Sequence, residues 1–406
     1  MATQPRVTVI GGGMITEIQL LPTLYQLQRD NVIGELHICA LQGAQLAQLQ
    51  NSPTLKGGFK GHSFTPYPDP AKVDPKQAFP DLFKEVFAKA PRGSIAVVAT
   101  PDHLHYPVIK EALANDLHVC TVKPLVLKHA QAEEIAGIAA ERGLVVGVEY
   151  HKRFDTRNLM ARKAYRDGKL GTFRLAQAQL MEPWYYRDSN FQNWCTVENS
   201  DMFTYVGCHY VDIVAFITGL KPTSVSVYGI RDKYPNGREG FLWTDARVIW
   251  NNGAALNVQN SLSFPDAAPG TNTQGLTMYC KGADMGALLH HSDQYRGMKY
   301  SYTRASGDPG STVYAEPSPD YFQYVDLGGP GLTPVGYGLR SVEHIVENCI
   351  RAAQEPELAG RQTLLREMDA KGIMATPANS SYNERLLEAG RKSILNGGVL
   401  VEVAPA

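Results

Sequence analysis

The sequence of 406 residues has no stretch approaching the ~18 consecutive apolar residues that a membrane-crossing helix requires. Segments 94–99 and 211–217 are short core runs. Nor is there an excess of one charge: 39 Lys and Arg stand against 40 Asp and Glu, a formal net charge of −1. Such a balance supplies no general pull toward nucleic acid or anionic lipid, which select for a basic excess. Cysteine is sparse, and Cys39, Cys120, Cys195, Cys208, Cys280 and Cys349 form no CxxC pair. Thiols scattered in this way argue against a disulfide framework and for a reducing compartment. The opening MATQPRVTVIGGG lacks the roughly 7–15 apolar residues of a secretory segment, so a soluble cytoplasmic protein is expected. What remains is an ordinary folded composition, 44% hydrophobic and 19% charged, long enough for two or three domains.

The chain reads as two unlike halves. Up to residue 150, short apolar runs alternate with helically spaced ones. Val7–Ile10, Leu36–Leu41, Ile95–Ala99, His118–Val122 and Val145–Glu149 are expected strands. Ile15–Leu27, Ala44–Gln50, Asp81–Ala88, His105–Asn115 and His129–Arg142 are expected helices. That alternation implies an α/β domain with a doubly wound parallel sheet and its ligand cleft at the carboxyl ends of the strands. From 151 to 406 the pattern changes. Strand-like segments at 171–181, 224–230, 244–250, 254–262 and 276–281 follow one another with turn signals between them. They imply an antiparallel or mixed sheet, flanked by helices at 202–218, 338–354 and 381–396. Residues 307–334, rich in Gly, Pro, Ser and Asp, read as a long surface excursion.

Gly11-Gly12-Gly13-Met14-Ile15-Thr16 stands after the first strand and opens the first helix, where a dinucleotide fingerprint belongs. There the backbone must turn sharply, approach a pyrophosphate and present amide groups at a helix N-terminus. Gly11 and Gly13 fill the first two glycine positions, and Thr16 stands in the third. Met14 and Ile15 lie between them as further cofactor-lining candidates. After the second strand, Ala40-Leu41-Gln42-Gly43 offers no carboxylate for the adenosine ribose and no cation for a 2′-phosphate. Gln42 is the available hydrogen-bonding group, which favours NAD while leaving NADP possible.

Two further segments carry a resemblance. Thr100-Pro101-Asp102-His103-Leu104-His105 precedes His118-Val119-Cys120-Thr121-Val122-Lys123-Pro124 by a short interval. Together they resemble the paired Thr-Pro-Asn-x-x-His and Glu-Lys-Pro signatures of the Gfo/Idh/MocA oxidoreductases. Tyr150–Phe154 and Gly207-Cys208-His209-Tyr210-Val211-Asp212 are similar to two later family segments, so the resemblance runs along nearly the whole chain. It implies an N-terminal Rossmann domain (1–150) and a C-terminal α/β substrate-binding and oligomerisation domain (151–406) with a large, mostly antiparallel open sheet. A nicotinamide cofactor would meet a sugar, cyclitol or related polyol in the cleft between them, with the open sheet packed on another subunit of a homo-oligomer. By position, Lys123 would bridge substrate hydroxyl and nicotinamide ribose, and His209 would be the general acid/base. Gly11, Gly13, Thr100, Pro101, Asp102 and His105 would line the cofactor.

The side chains suit that chemistry. Oxidising a secondary alcohol requires an orienting group and a proton acceptor, since the cofactor takes the hydride. An imidazole, with an ordinary pKa of about 6.5, transfers protons near neutrality. A lysine ammonium stabilises a developing alkoxide. Tyr205, His209 and Asp212 fall at i, i+4 and i+7, one face of an α-helix. The family commonly has Asp where this chain has Tyr205, and Glu where it has Val122. Glu198-Asn199-Ser200-Asp201 replaces the family's glycine run. A phenol, with an ordinary pKa near 10, is a poor base at neutral pH unless a cation such as Lys123 depresses it.

Pro183-Trp184-Tyr185-Tyr186-Arg187, with Phe191, Trp194 and Tyr205, is rich in aromatics and offers either a sugar-stacking surface or core. Substrate-binding candidates are therefore Lys123, Arg153, Tyr186, Trp194, Tyr205 and His209, with His151, Lys152, Tyr295 and Arg296 behind them. His290-His291 and His103-x-His105 lack partners at ligand spacing, so no metal is expected. Three functions follow. The first is an NAD(P)-dependent oxidoreductase acting on a secondary hydroxyl of a sugar, sugar derivative or glycoside. The second, motivated by Tyr205 and the aromatic stretch, is a glycosidase that holds NAD tightly and cleaves through transient oxidation at C3. The third is a non-catalytic NAD-binding sugar sensor, which has no need of Lys123 and His209.

Overall fold

The computed structural model describes residues 4–268, 272–282, 286–292, 300–303, 312–315 and 320–404. The chain forms two units. The first comprises Met1–Val126, Ala130–Phe154 and Tyr321–Ser381; the second comprises Leu127–His129, Asp155–Asp320 and Tyr382–Ala406.

In the first unit, β1 (Val7–Ile10), β2 (Leu36–Cys39), β3 (Thr65–Tyr67), β4 (Ile95–Val98), β5 (His118–Val122) and β6 (Val146–Glu149) form one sheet. Its order is β3-β2-β1-β4-β5-β6 and every pairing is parallel. All four residues of β1, β2, β4 and β6 are buried, as expected of strands covered on both faces. Val7, Val9, Ile38, Ile95 and Val97 share one core with Leu20, Leu21 and Leu24 and with Val342, Ile345 and Val346 of the helix Tyr337–Ala353. The strand order reverses between β1 and β4, which opens a crevice at their carboxyl ends.

In the second unit, β7 (Thr172–Pro183), β8 (Pro222–Lys233), β9 (Glu239–Trp250), β10 (Ala255–Phe264), β11 (Thr273–Lys281) and β12 (Ala287–Ser292) form a larger sheet. Two short hairpins follow, β13 (Tyr300–Thr303) with β14 (Thr312–Ala315), and β15 (Gln323–Val325) with β16 (Thr333–Val335), the latter in the first unit. β17 (Val401–Glu402) completes the large sheet, whose order is β12-β11-β7-β10-β9-β8-β17. Only β7 and β10 run parallel; the other neighbours are antiparallel. Buried and exposed residues alternate along β7 and β9, so the sheet has one covered and one open face. The helix Tyr382–Leu395 packs on the covered side of β8.

Every expected strand and helix is present within a few residues. The sequence reading lacks β3, inside a Pro-rich stretch, and the polar helices Thr156–Arg166 and Leu358–Lys371. Residues Tyr295 and Arg296, and residues 307–311 and 316–319 of the expected excursion at 307–334, lie outside the described residues. No described helix is long and apolar enough to cross a membrane, and none of the six cysteines is in a disulfide.

Candidate cofactor and catalytic residues

Gly11 ends β1 and must be glycine. Its φ is +116°, and a Cβ there would lie 2.2 Å from the carbonyl oxygen of Ala99, at the end of the neighbouring β4. The Gly11 N–H donates to the Cys39 carbonyl (2.8 Å), pinning the turn to β2. Gly13 is exposed, with open space where a Cβ would stand. Thr16, in the third glycine position, is fully buried, and its hydroxyl donates to the Gly11 carbonyl at 2.8 Å. The departure from the fingerprint thus supplies a bond that closes the loop. Thr16–Leu20 then forms a π-helical turn before the α-helix Leu21–Arg29. Met14 is half-buried, and Ile15 packs against the core of the unit.

Across the crevice, Thr100 follows β4. Its Oγ1 is buried and has no hydrogen-bond partner among the described residues. Pro101 is half-buried, and Asp102 is buried in the short 3-10 turn Asp102–Leu104. His105 differs from expectation. It is fully buried, with Nε2 2.9 Å from the Thr100 carbonyl and Nδ1 2.8 Å from the Pro124 carbonyl. It therefore ties the loop after β4 to the loop after β5 rather than lining a cofactor. Lys123, half-buried, is the last residue before the cis peptide to Pro124 and stands at the carboxyl end of β5.

Gln42 follows β2 as expected, but its Nε2 donates to the Lys76 carbonyl at 3.0 Å, and its N–H donates to Gln45 Oε1. Segment 70–79 folds over that strand end, bringing Pro70 and Val73 within 3.4 Å of a Cβ placed on Gly43. Arg153 is 2% exposed, with Nη1 3.4 Å from Asn379 Oδ1, so it is built into the unit's interior. Sequence reasoning missed Glu149 and Gln19. Gln19 Nε2 and Ser341 Oγ donate to Glu149 Oε1 at 2.8 and 2.6 Å, inside the unit that carries the glycine loop. The available signal was a carboxylate closing an otherwise apolar strand.

In the second unit, His209 and Asp212 lie on the α-helix Cys208–Thr218 and are 4% and 0% exposed. Asp212 Oδ1 accepts from Tyr382 Oη (2.9 Å) and Asn383 Nδ2 (3.3 Å), which fixes that helix to the C-terminal one. Tyr205 belongs to a π-helical turn, Phe203–Gly207, closed by the Cys208 N–H on the Phe203 carbonyl. The i, i+4 spacing from Tyr205 to His209 is therefore not that of a regular α-helix. Instead Tyr205 stands edge-on to Phe191 (4.8 Å between centroids) and Trp194 (5.5 Å), while Tyr186 stacks on Phe191 at 5.3 Å. Tyr186, Trp194 and Tyr205 are thus brought together around one phenylalanine. At the edge of this group the Arg187 guanidinium sits 3.9 Å from the Trp184 ring and pairs with Asp232 at 3.0 Å. Among the described residues no cluster of His, Cys, Asp or Glu could hold a metal ion.

A parallel sheet with a glycine cradle at its reversal point defines a dinucleotide-binding protein. The residues fit that group: open space at Gly13, an obligatory glycine at 11 and a buried hydroxyl at Thr100 with no partner among the described residues. The chain belongs to the Gfo/Idh/MocA oxidoreductase family. A model described as the oxidoreductase family's NAD-binding Rossmann fold matches residues 5–150, and the family's C-terminal domain matches residues 158–281. YfiI of Bacillus subtilis, an uncharacterized oxidoreductase, is 30% identical over 110 residues, 26% of this chain and 28% of that protein. The scyllo-inositol 2-dehydrogenase (NAD(+)) of the same organism is 23% identical over 245 residues, 56% of this chain and 68% of that enzyme. The chain spans less than half the length of several curated relatives it matches. The crystal structure of GenD2 from gentamicin A biosynthesis, in complex with NAD, superposes with a TM-score of 0.65 at 17% identity. That match covers 100% of this chain and 98% of GenD2. The first unit is thus an NAD-binding Rossmann domain.

Proposed function

We propose that this protein is an NAD-dependent oxidoreductase that transfers hydride between the nicotinamide and a secondary hydroxyl of a sugar, sugar derivative or related polyol. The observation that carries the reading is Lys123 at the carboxyl end of β5, in the same domain as the Gly11 cradle. NAD, when bound, supplies the hydride acceptor. Gly11, Gly13, Met14, Thr100 and Asp102 hold it, and His105 acts one step behind them by fixing two loops. Lys123 orients the substrate hydroxyl and stabilises charge developing on its oxygen. His209 accepts that proton, as an imidazole does near neutral pH. Tyr205, Tyr186 and Trp194 present ring faces to the C–H faces of the sugar. The resemblance to an inositol dehydrogenase supports the polyol class.

Absorbance of the nicotinamide, followed with a panel of cyclitols, hexoses and nucleotide sugars, tests the assignment. Lys123→Met and His209→Gln are each expected to lower kcat by about 10²–10³-fold while NAD still binds. Absence of any absorbance change across the panel, with cofactor exchanged in, overturns it. A second reading, glycoside cleavage through transient oxidation at C3, is favoured by the assembled rings of Tyr186, Phe191, Trp194 and Tyr205. Cleavage without net nicotinamide reduction, with solvent deuterium entering at C2, would select it.

A further inference from the structure

We propose that Gln19 is a positioning residue for the dinucleotide: clamped by Glu149, Gly338 and Tyr321, it holds the π-helical turn Thr16–Leu20 in the conformation that presets the glycine loop for a pyrophosphate. The inference rests on the cofactor half of the reading above and deepens it; the substrate plays no part in it. Gln19 is fully buried, and a buried amide is costly unless its polar atoms are bonded. Here both are. Its Nε2 donates to Glu149 Oε1 at 2.8 Å and to the Gly338 carbonyl at 3.1 Å, and its Oε1 accepts from the Tyr321 hydroxyl at 2.7 Å. Glu149 ends β6 and is 2% exposed, and Ser341 Oγ donates to the same carboxylate oxygen at 2.6 Å. Gly338 leaves room for the clamp: a Cβ there would lie 3.3 Å from the Gln19 amide carbon and 3.2 Å from the Tyr321 carbonyl oxygen.

The turn that carries Gln19 is the part of the cradle that needs outside support. A π-helical turn is rare and recurs at functional sites. Backbone away from its low-energy form persists where its surroundings over-determine it. The Leu21 N–H closes the turn on the Thr16 carbonyl. At the near end, Thr16 Oγ1 donates to the Gly11 carbonyl, and the Gly13 carbonyl accepts the N–H groups of Thr16 and Glu17 at 3.1 and 3.2 Å. At the far end, Thr23 Oγ1 donates to the Gln19 carbonyl at 2.7 Å. The clamp on Gln19 therefore acts on the same short stretch of backbone that shapes the loop at Gly11 and Gly13. It comes from far along the chain: Tyr321 and Gly338 lie 302 and 319 positions beyond Gln19, outside the residues 5–150 that match the family's NAD-binding domain. Fastening the helix Tyr337–Ala353 to β6 needs only Ser341, which bonds the same Glu149 oxygen without touching the turn. Gln19 adds a grip immediately behind the glycine loop.

The test compares Gln19→Met, which keeps the side chain's length and removes its hydrogen bonds, with Ser341→Ala, which takes a donor from the same Glu149 oxygen. NADH and ADP-ribose, which share the pyrophosphate and differ by the nicotinamide, are titrated calorimetrically into each protein, and urea unfolding gives its stability. Gln19→Met is expected to bind both ligands about 10- to 30-fold more weakly and by the same factor, because the cost of ordering the loop then falls on binding. Ser341→Ala is expected to lower the urea midpoint and to bind both ligands within about twofold of the unmutated protein. Tyr321→Phe, which removes one hydroxyl and keeps the ring, is expected to weaken both by about threefold, and it decides the matter should Gln19→Met not fold. Unchanged affinity in the deciding variant overturns the proposal. So does a loss confined to NADH, which puts the effect away from the pyrophosphate, and so does an equal loss in Ser341→Ala, which makes affinity follow stability. A protein that binds NADH and oxidises none of the sugar panel loses the oxidoreductase reading and keeps this one; a protein that binds neither ligand loses both.

Discussion

His118 opens β5, is 1% exposed, and accepts the Val145 N–H at its Nδ1 (2.9 Å). That bond requires a lone pair on Nδ1. Burial, and to a lesser degree the Arg361 charge, lower its pKa to about 4. The unfolded chain would take up a proton near pH 6.5, so the folded state binds fewer protons between those values. The contribution to stability is complete above about pH 6.5 and is lost as pH falls toward 4, on the order of 3 kcal/mol. Replacing His118 by Asn keeps an acceptor for Val145 and removes the titration. Denaturant midpoints at neutral and mildly acidic pH should therefore differ less in the variant; an unchanged difference would rule this account out. At this scale the sequence revealed positions but not roles. Lys123 and the Gly11 turn were readable because a strand's carboxyl end and an obligatory glycine leave local signatures. The family resemblance put His105 at the cofactor and the sequence offered Arg153 to the substrate, whereas both are buried, His105 against the Pro124 carbonyl and Arg153 beside Asn379, contacts between segments far apart in sequence. Thr16 looked like a lost glycine, and only the folded loop shows its hydroxyl on Gly11.

Among the elements, the helix bearing His209 shows how a departure from the family pattern is accommodated. Asp201, which ends the segment standing where the family has glycines, is 1% exposed. Its Oδ1 accepts the Thr204 N–H at 2.8 Å, capping the helical segment, and its Oδ2 pairs with Arg391 Nη1 at 3.3 Å. The cap satisfies one of the free N–H groups at the helix start. The pair joins that start to the C-terminal helix Tyr382–Leu395. Asp201→Asn should keep the cap and lose the charge, while Asp201→Ala should lose both and leave the partly buried Arg391 guanidinium with the Ser200 and Val197 carbonyls but without its carboxylate. We expect Asp201→Ala to cost about 3 kcal/mol and Asp201→Asn at least about 1 kcal/mol less, measured by urea unfolding. Equal effects would mean that the cap contributes nothing. Regular elements were legible because fully buried strands leave unbroken apolar runs and buried helices an apolar stripe. The π turns at Thr16–Leu20 and Phe203–Gly207 were not, since neither composition nor spacing separates them from α-helix. The helix Leu358–Lys371 escaped because Met368 is its one buried residue, which leaves almost no periodic signal.

At the scale of the whole molecule, the sequence could not show that Tyr321–Ser381 returns to the first unit, because sequential patterning carries no information about which distant segments pack together. The family resemblance implied an open sheet there, packed on another subunit, and the structure identifies the residues on the exposed face of that sheet. Leu175, Tyr279 and Leu288 are direct cross-strand neighbours on β7, β11 and β12, and are 42%, 46% and 58% exposed. The adjoining row, Arg247, Asn257, Gln177, Thr277 and His290, is polar and follows the same register. An apolar row lying in register beside a polar one is suited to another protein surface, and isolated exposed hydrophobics would need no such explanation. We propose that a second copy of this chain covers this face, since a sheet presenting the same rows on each copy can pair by a two-fold axis. Light scattering should then give at least twice the chain mass. Tyr279→Asp, which places a charge in the centre of the apolar row, should reduce the species to one chain while NAD affinity stays unchanged, because the nucleotide is held by the first unit. A single-chain mass for the unmutated protein would exclude this use of the face, and an oligomer that survives Tyr279→Asp would move the interface elsewhere.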